Sequence, residues 1–333
     1  MLARLLTLTL LVLLTSPLMA ATTLKIATIA PDGTSWMKQM RAAAKQIEQG
    51  TEGRVKLRFY PGGVMGNDKS VLRKIRVGQL HGGAITGGGL SDIYNDAQIY
   101  TLPFQFRDLS EVDAVRERMD EQIVAGLQKA GFVSFGLSEG GFAYLLSNTP
   151  VKTTDDMRGL KIWIPEGDQI NARMFEALGI SPIPLPITDV MTGLQTGLID
   201  TIASSPIGAI ALQWHTQVKY LTKVPLAYLY ASLVIKERAL SRLTAGDRKL
   251  VTKVLQETFT GLDARNRDDN TQALAALLNQ GIELVEPSLT QQQEWEQHAN
   301  RMLQSLSSDG LFDQEMLNNM QQLIRASRTT SAR

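Results

Sequence analysis

The sequence predicts an α/β protein of two lobes, each a mostly parallel sheet flanked by helices, joined by hinge strands and a long spanning helix. Three observations predict it. Strand runs alternate with amphipathic helices in βαβαβ order, the same order returns later in the chain, and an unusually long capped helix follows the second copy.

In the first copy, residues 24–29 (L-K-I-A-T-I) form a strand run stopped by Pro31-Asp32-Gly33. Thr34 then caps a helix whose apolar face is Met37, Met40, Ala44 and Ile47. Residues 55–60 (V-K-L-R-F-Y) alternate as a strand does and end at Pro61-Gly62-Gly63. Asp68 is placed to cap the next helix, with Val71, Leu72 and Ile75 inward and Gly78 at its end. A short strand at 84–86 runs into Gly87-Gly88-Gly89.

The second copy starts with a strand at 160–164 (L-K-I-W-I). Asp168 caps a helix carrying Ile170, Met174, Phe175 and Leu178, closed by Gly179; a strand near 180–184, a helix at 188–197 and a strand at 199–203 follow. Gly78, Leu80, His81, Ala84 and Thr86 stand in step with Gly197, Ile199, Asp200, Ala203 and Ser205 at constant spacing, the mark of an internal repeat.

Between the copies lie a helix capped by Ser110 and two strand runs, 132–138 and 142–147, around Glu139-Gly140-Gly141. Past the second copy come a strand at 226–235, a helix over 244–279 opened by a Thr244–Asp247 capping box, and a strand at 282–285. A Thr290–Gln293 box precedes the C-terminal helices. Crossings near 140 and 228 divide the chain. Residues 22–140 with about 229–268 form the first lobe, and 141–228 with about 269–333 the second.

The N-terminus reads as an address. Arg4, an apolar run over 5–14 and small residues at Ala20 and Ala21 predict a cleaved signal peptide over 1–21 and export to the periplasm. The run is too short for a membrane span, which needs about 20 apolar residues. The chain carries 34 Lys+Arg and 33 Asp+Glu, so no long-range field draws it to nucleic acid. With no Cys and only His81, His215 and His298, thiol chemistry is excluded and a His-based metal site disfavoured. No cofactor motif is present, and His215 has neither a nucleophile nor an orienting acid in any motif, so the chain does not read as an enzyme.

Ligands of open parallel sheets sit beyond the carboxyl ends of the strands. That rule selects Asp32, Ser35, Trp36, Asn67, Asp68, Thr86 and the triple glycine in one lobe, and Trp163, Glu166, Asp168, Ser204 and Ser205 in the other. Bland roles compete: Asp68, Asp168 and Ser205 as helix caps, Trp36 as packing, the glycines as a tight turn. Trp163, at the end of a strand, is expected to face the cleft.

The ordered segments F-Y-P-G-G-V-M-G (59–66), V-G-Q-L-H-G-G (77–83), L-P-F-Q-F-R-D (102–108), T-T-D-D-M-R-G-L-K-I-W-I-P (153–165), A-L-G-I-S-P-I-P (177–184), L-Q-T-G-L-I-D (194–200) and V-K-Y-L-T (218–222) resemble the DctP-type periplasmic receptors of TRAP transporters. The resemblance spans nearly the whole mature chain. It implies the two-lobe periplasmic binding protein fold, closure around a small ligand, usually an organic acid, and delivery to an ion-coupled TRAP permease. The alternative function is a periplasmic sensor module that presents its closed form to a signalling partner.

At the family's carboxylate-binding arginine this chain has Trp163, and at a second frequent arginine it has Ala143, beside Phe142. Ser205 stands near the family's asparagine before a proline. Glu139 and Glu166 are close in sequence to these positions. The expected ligand is therefore bulkier and less anionic than a dicarboxylate: aromatic, apolar or cationic, with Trp163 as a wall. Arg73 or Arg173 is the alternative source of a carboxylate-binding cation.

Overall fold

The computed structural model describes residues 21–331, so residues 1–20 of the expected signal peptide lie outside the described residues. The first lobe opens with β1 (Thr22–Thr28), α1 (Ser35–Gly50), β2 (Val55–Tyr60), α2 (Asp68–Arg76), β3 (Gly82–Thr86), the short α3 (Gly87–Leu90) and α4 (Leu109–Lys129). The long strand β4 (Phe132–Ser147) leads to β5 (Trp163–Pro165), α5 (Gln169–Ala177), β6 (Ile183–Leu185), α6 (Val190–Gln195), β7 (Thr201–Ser204) and α7 (Pro206–Ala211). A second long strand, β8 (Tyr220–Lys236), returns to α8 (Glu237–Leu240), α9 (Ala245–Thr260), α10 (Leu262–Asn279), β9 (Glu283–Val285), α11 (Leu289–Ser308) and α12 (Gln314–Ser331).

One mixed sheet, ordered β2-β1-β3-β8-β4-β7 with β9 on β8, runs through both lobes. The repeat units are parallel: β1 with β2 and β3, and β5 with β6. The hinge strands β4 and β8 pair antiparallel along most of their length. The two runs expected around Glu139-Gly140-Gly141 are thus one strand, with register shifts at 134/137, 139/141 and 143/145. A bulge lets the ladder resume beyond the glycines, and Gly141 takes it up with φ +86°. The repeat is visible in its turns as well, since Gly78 and Gly197 sit at φ +78° and +67°.

Helix starts follow local chemistry. Thr34 accepts from the Met37 N–H at 3.3 Å, Asp168 from Asn171 at 3.0 Å, Ser205 from Gly208 at 3.3 Å and Thr244 from Asp247 at 3.1 Å. Three expected caps move. Asn67 caps α2 in place of Asp68, Asp108 caps α4 in place of Ser110, and Ser288 with Gln291 forms the box of α11. Each true cap stands one or two residues before the expected one, so local chemistry alone does not choose. At α2 the choice follows from Asp68 bonding elsewhere. The single helix expected over 244–279 is two abutting helices, interrupted at Gly261, the residue type that costs a helix interior about 1 kcal/mol.

Of the apolar cores, one lies between α1 and α9, where Met37, Met40 and Ile47 meet Val251, Leu255 and Phe259. The second lobe centres on Trp163, Trp214, Ile199 and Ile202. The C-terminal helices, grouped by chain order with the second lobe, pack differently. Met316, Met320 and Ile324 of α12 share a core with Val112, Val115 and Met119 of α4 in the first lobe. α11 has Trp295 among second-lobe residues Val151, Met157 and Ile180, and Leu303 in the α4 core. An apolar stripe demands burial without specifying its partner.

Candidate functional site

The loops at the carboxyl ends of the two sets of strands touch. Asn67, after β2, donates through Nδ2 to Glu166 Oε2, after β5, at 3.0 Å. A Cβ on Gly63 would press on the methyl of Thr188, in the segment after β6. The loops that the strand-end rule selects in the two lobes are therefore adjacent.

On the first-lobe side, Asn67 has taken the cap of α2, accepting from the Ser70 N–H at 3.0 Å, which frees Asp68. Asp68 Oδ2 accepts from Thr86 twice, from N–H at 3.1 Å and from Oγ1–H at 2.5 Å, while Thr86 Oγ1 accepts from the Gly89 N–H at 3.2 Å. Burial pushes the Asp68 carboxyl up to about 6, against the pull of the Thr86 hydrogen bonds. Close approach explains two of the three glycines. A Cβ at Gly89 would overlap the Asp68 carboxylate and one at Gly87 the Tyr230 ring. The glycines form the short helix α3, capped by Thr86, and not the tight turn expected from the sequence. Trp36 is half-buried against the α1–α9 core, and Asp32 pairs with Arg41 on the surface.

On the second-lobe side, Asp168 caps α5 and also accepts from Asn171 Nδ2 at 2.6 Å; burial raises its pKa. Ser205, 4% exposed, caps α7. Trp163 is not an open wall. It is 5% exposed, meets Trp214 edge to face at 5.4 Å, and donates its indole N–H to the Leu185 carbonyl at 3.0 Å. The expectation of a free aromatic face is corrected by the strand pairing: β5 runs beside β6, so the indole lies over the lobe's own core.

At the hinge, Ala143 is 2% exposed and Phe142 half-buried, edge to face with Tyr228 at 5.9 Å. Glu139, expected to lend charge to a ligand, is 3% exposed and already partnered. Its Oε2 accepts from Arg267 Nε at 2.9 Å and from the Tyr228 hydroxyl at 3.3 Å. Burial raises its pKa, and the adjacent guanidinium opposes the rise.

Sequence reasoning missed most of this hinge network. Arg116 of α4 donates to Asp120, to Asp263, to the Tyr228 hydroxyl and to the Leu137 carbonyl. Arg267 adds Asp113. The available signal was a polar stripe, Asp263, Asn266, Arg267 and Asn270, at helical spacing on α10. Only burial distinguishes such a stripe from a solvated face. Of the substitute cations, Arg173 pairs with Asp309, and Arg73 is exposed in the last turn of α2, away from the helix end that carries Asp68. Among the described residues, no group of acidic and His side chains is arranged to hold a metal.

A family model described as bacterial extracellular solute-binding protein, family 7 (DctP), matches residues 26–309. The chain is 26% identical over 262 residues to the 2,3-diketo-L-gulonate-binding periplasmic protein of Escherichia coli (strain K12), covering 76% of this chain and 78% of that one. To the C4-dicarboxylate-binding periplasmic protein of Rhodobacter capsulatus it is 25% identical over 273 residues, 81% of each. Among solved structures, a TRAP periplasmic solute-binding protein from Shewanella oneidensis with bound succinate superposes with a TM-score of 0.85 at 18% identity, covering 92% of this chain and 100% of that one. One from Xanthobacter autotrophicus Py2 with bound β-D-galacturonate gives 0.82 at 20% identity, covering 91% and 99%.

Proposed function

The chain belongs to the bacterial extracellular solute-binding proteins of family 7, and from that premise we propose that it is a periplasmic receptor which captures a small organic ligand between its lobes and delivers it to a TRAP-type permease. The family binds and does not catalyse. A ligand that touches both lobes favours the closed arrangement by its differential affinity, and the permease reads closure. The periplasmic names of the curated relatives support the compartment. We place the ligand among Asp68 and Thr86 of the first lobe, Glu166 and Ser205 of the second, and Phe142 beside the hinge; Ala143 sets the room at the back.

The ligands of these relatives, 2,3-diketo-L-gulonate, C4-dicarboxylates and succinate, are organic acids. For this chain we propose a molecule of low negative charge with an apolar or aromatic body. The observation that carries this is the burial of Trp163 and Ala143 with the indole N–H already spent, where family resemblance would place guanidinium groups. Around them, Arg116, Arg173 and Arg267 are paired with carboxylates, and the first-turn N–H groups of α7 are taken by Ser205 and Asn270. A dicarboxylate desolvated there would lose several kcal/mol without a partner.

A thermal-shift and native mass spectrometry screen of the exported protein tests this. Succinate and D-galacturonate at millimolar concentration are expected to leave the melting temperature unchanged. A neutral or cationic aromatic is expected to raise it, since ligand at 100 times its Kd adds about 2.7 kcal/mol. Micromolar succinate binding would refute the ligand class and leave the receptor reading standing.

A further inference from the structure

The bulge at Glu139–Gly141 is where β4 passes from one lobe to the other, and one face of α10 is hydrogen-bonded to its backbone. Asp263 accepts the Glu139 N–H at 2.8 Å. The Asn266 amide donates to the Glu139 carbonyl at 2.6 Å and to Ser138 Oγ at 3.1 Å. One turn on, the Asn270 amide donates to the Gly140 carbonyl at 3.2 Å. Gly141 must be glycine here, since its φ is +86° and a Cβ would overlap that amide.

Asn270 links this bulge to α7. Its Nδ2 holds Gly140, and its Oδ1 accepts the Ile207 N–H at 3.2 Å. Ile207 is the second residue of α7, immediately past Ser205 and Pro206. Pro206 has no N–H, and the Gly208 N–H goes to Ser205 Oγ at 3.3 Å. Asn270 therefore satisfies the first-turn donor that the cap of α7 cannot reach. One planar amide, on a helix that belongs to neither the bulge nor the turn, sets the distance between hinge backbone and ligand-side turn.

We propose that Asn270 is a positioning residue that couples the hinge bulge to the ligand-facing Ser204–Ile207 turn, so that the two keep register as the lobes move. This rests on the reading of the cleft as a closing ligand site, but its geometry needs no particular ligand. Asn266 is the internal control: it holds the same bulge and does not reach α7.

Hydrogen exchange of the full mature chain, without ligand, separates the cases. In Asn270→Ala, exchange is expected to rise about 3- to 10-fold at both 139–143 and 206–211, the effect of losing one net hydrogen bond at each, with α1 and β1 unchanged. In Asn266→Ala it should rise at 138–141 only. Asn270→Asp keeps an acceptor for Ile207 and loses the donor to Gly140, so 206–211 should regain protection while 139–143 does not. If Asn270→Ala leaves 206–211 unchanged, if Asn266→Ala exposes it equally, or if Asn270→Asp restores nothing, the coupling role is wrong. A chain that binds no solute at all but shows this pattern would sink the receptor reading and keep the coupling.

Discussion

Replacing Arg116 by Met keeps most of the side-chain volume and removes the cation at the centre of the hinge network. The guanidinium is held by Asp120 Oδ2 at 2.9 Å, Asp263 Oδ2 at 2.6 Å, the Tyr228 hydroxyl at 3.0 Å and the Leu137 carbonyl at 3.0 Å. Its side chain is only 10% exposed, and those of Asp120 and Asp263 are each 29% exposed. Without it, two largely buried carboxylates lose their cationic partner, keeping only the Tyr100 hydroxyl on Asp120 and the Glu139 N–H on Asp263, a change that costs about 3–5 kcal/mol. The surface pair Arg41–Asp32, with side chains 53% and 57% exposed, sets the contrast, since removing such a pair costs about 0–1 kcal/mol. Urea unfolding followed by circular dichroism at pH 8 measures both variants. The pH dependence is a second handle. Burial already raises the Asp120 pKa, and loss of Arg116 raises it further. A raised carboxyl favours the folded state at low pH and loses that advantage as pH climbs through the folded pKa. The Arg116→Met deficit should therefore shrink at pH 5. A deficit under about 1 kcal/mol at pH 8, or one that grows on acidification, would refute the argument.

Three further outcomes are expected. Asp68, raised from 3.8 to about 6, stabilises the fold below its unfolded pKa and loses this contribution as pH rises through about 6. Melting temperature should thus fall between pH 5 and pH 8 by the equivalent of about 1–2 kcal/mol after allowance for its partial exposure, and Asp68→Asn should flatten that slope in parallel scans. Gly89→Ala should cost about 1–3 kcal/mol in urea unfolding, from overlap with Asp68. Gly88→Ala, with open space around its Cβ, should stay within about 0.5 kcal/mol, and equal effects would discredit the close-approach account. N-terminal sequencing of exported protein should begin at Ala21 or Thr22, and a retained Met1 would contradict cleavage.

The sequence by itself determined what depends on neighbours a few residues away. The strand–helix order, the repeat with its matching turns at Gly78 and Gly197, and the caps Thr34, Asp168, Ser205 and Thr244 are all set within about a turn of helix. The strand-end loops that meet at Asn67 and Glu166 were also legible, because the strand-end rule needs only the order of elements. The tertiary structure alone decided partners that are remote in the chain. Asp68 looked like a cap until Thr86, 18 residues on, drew its carboxylate away. Trp163 looked like a ligand wall until Trp214 and the Leu185 carbonyl enclosed it. Glu139 looked like a free charge, and Arg267, 128 residues distant, neutralises it. The stripe on α12 left its partner open, and it packs in one core with Val112, Val115 and Met119 of α4. Periodicity and capping are encoded by spacing along one element, whereas the burial that turns a polar stripe into a hinge network exists only once separate elements have packed.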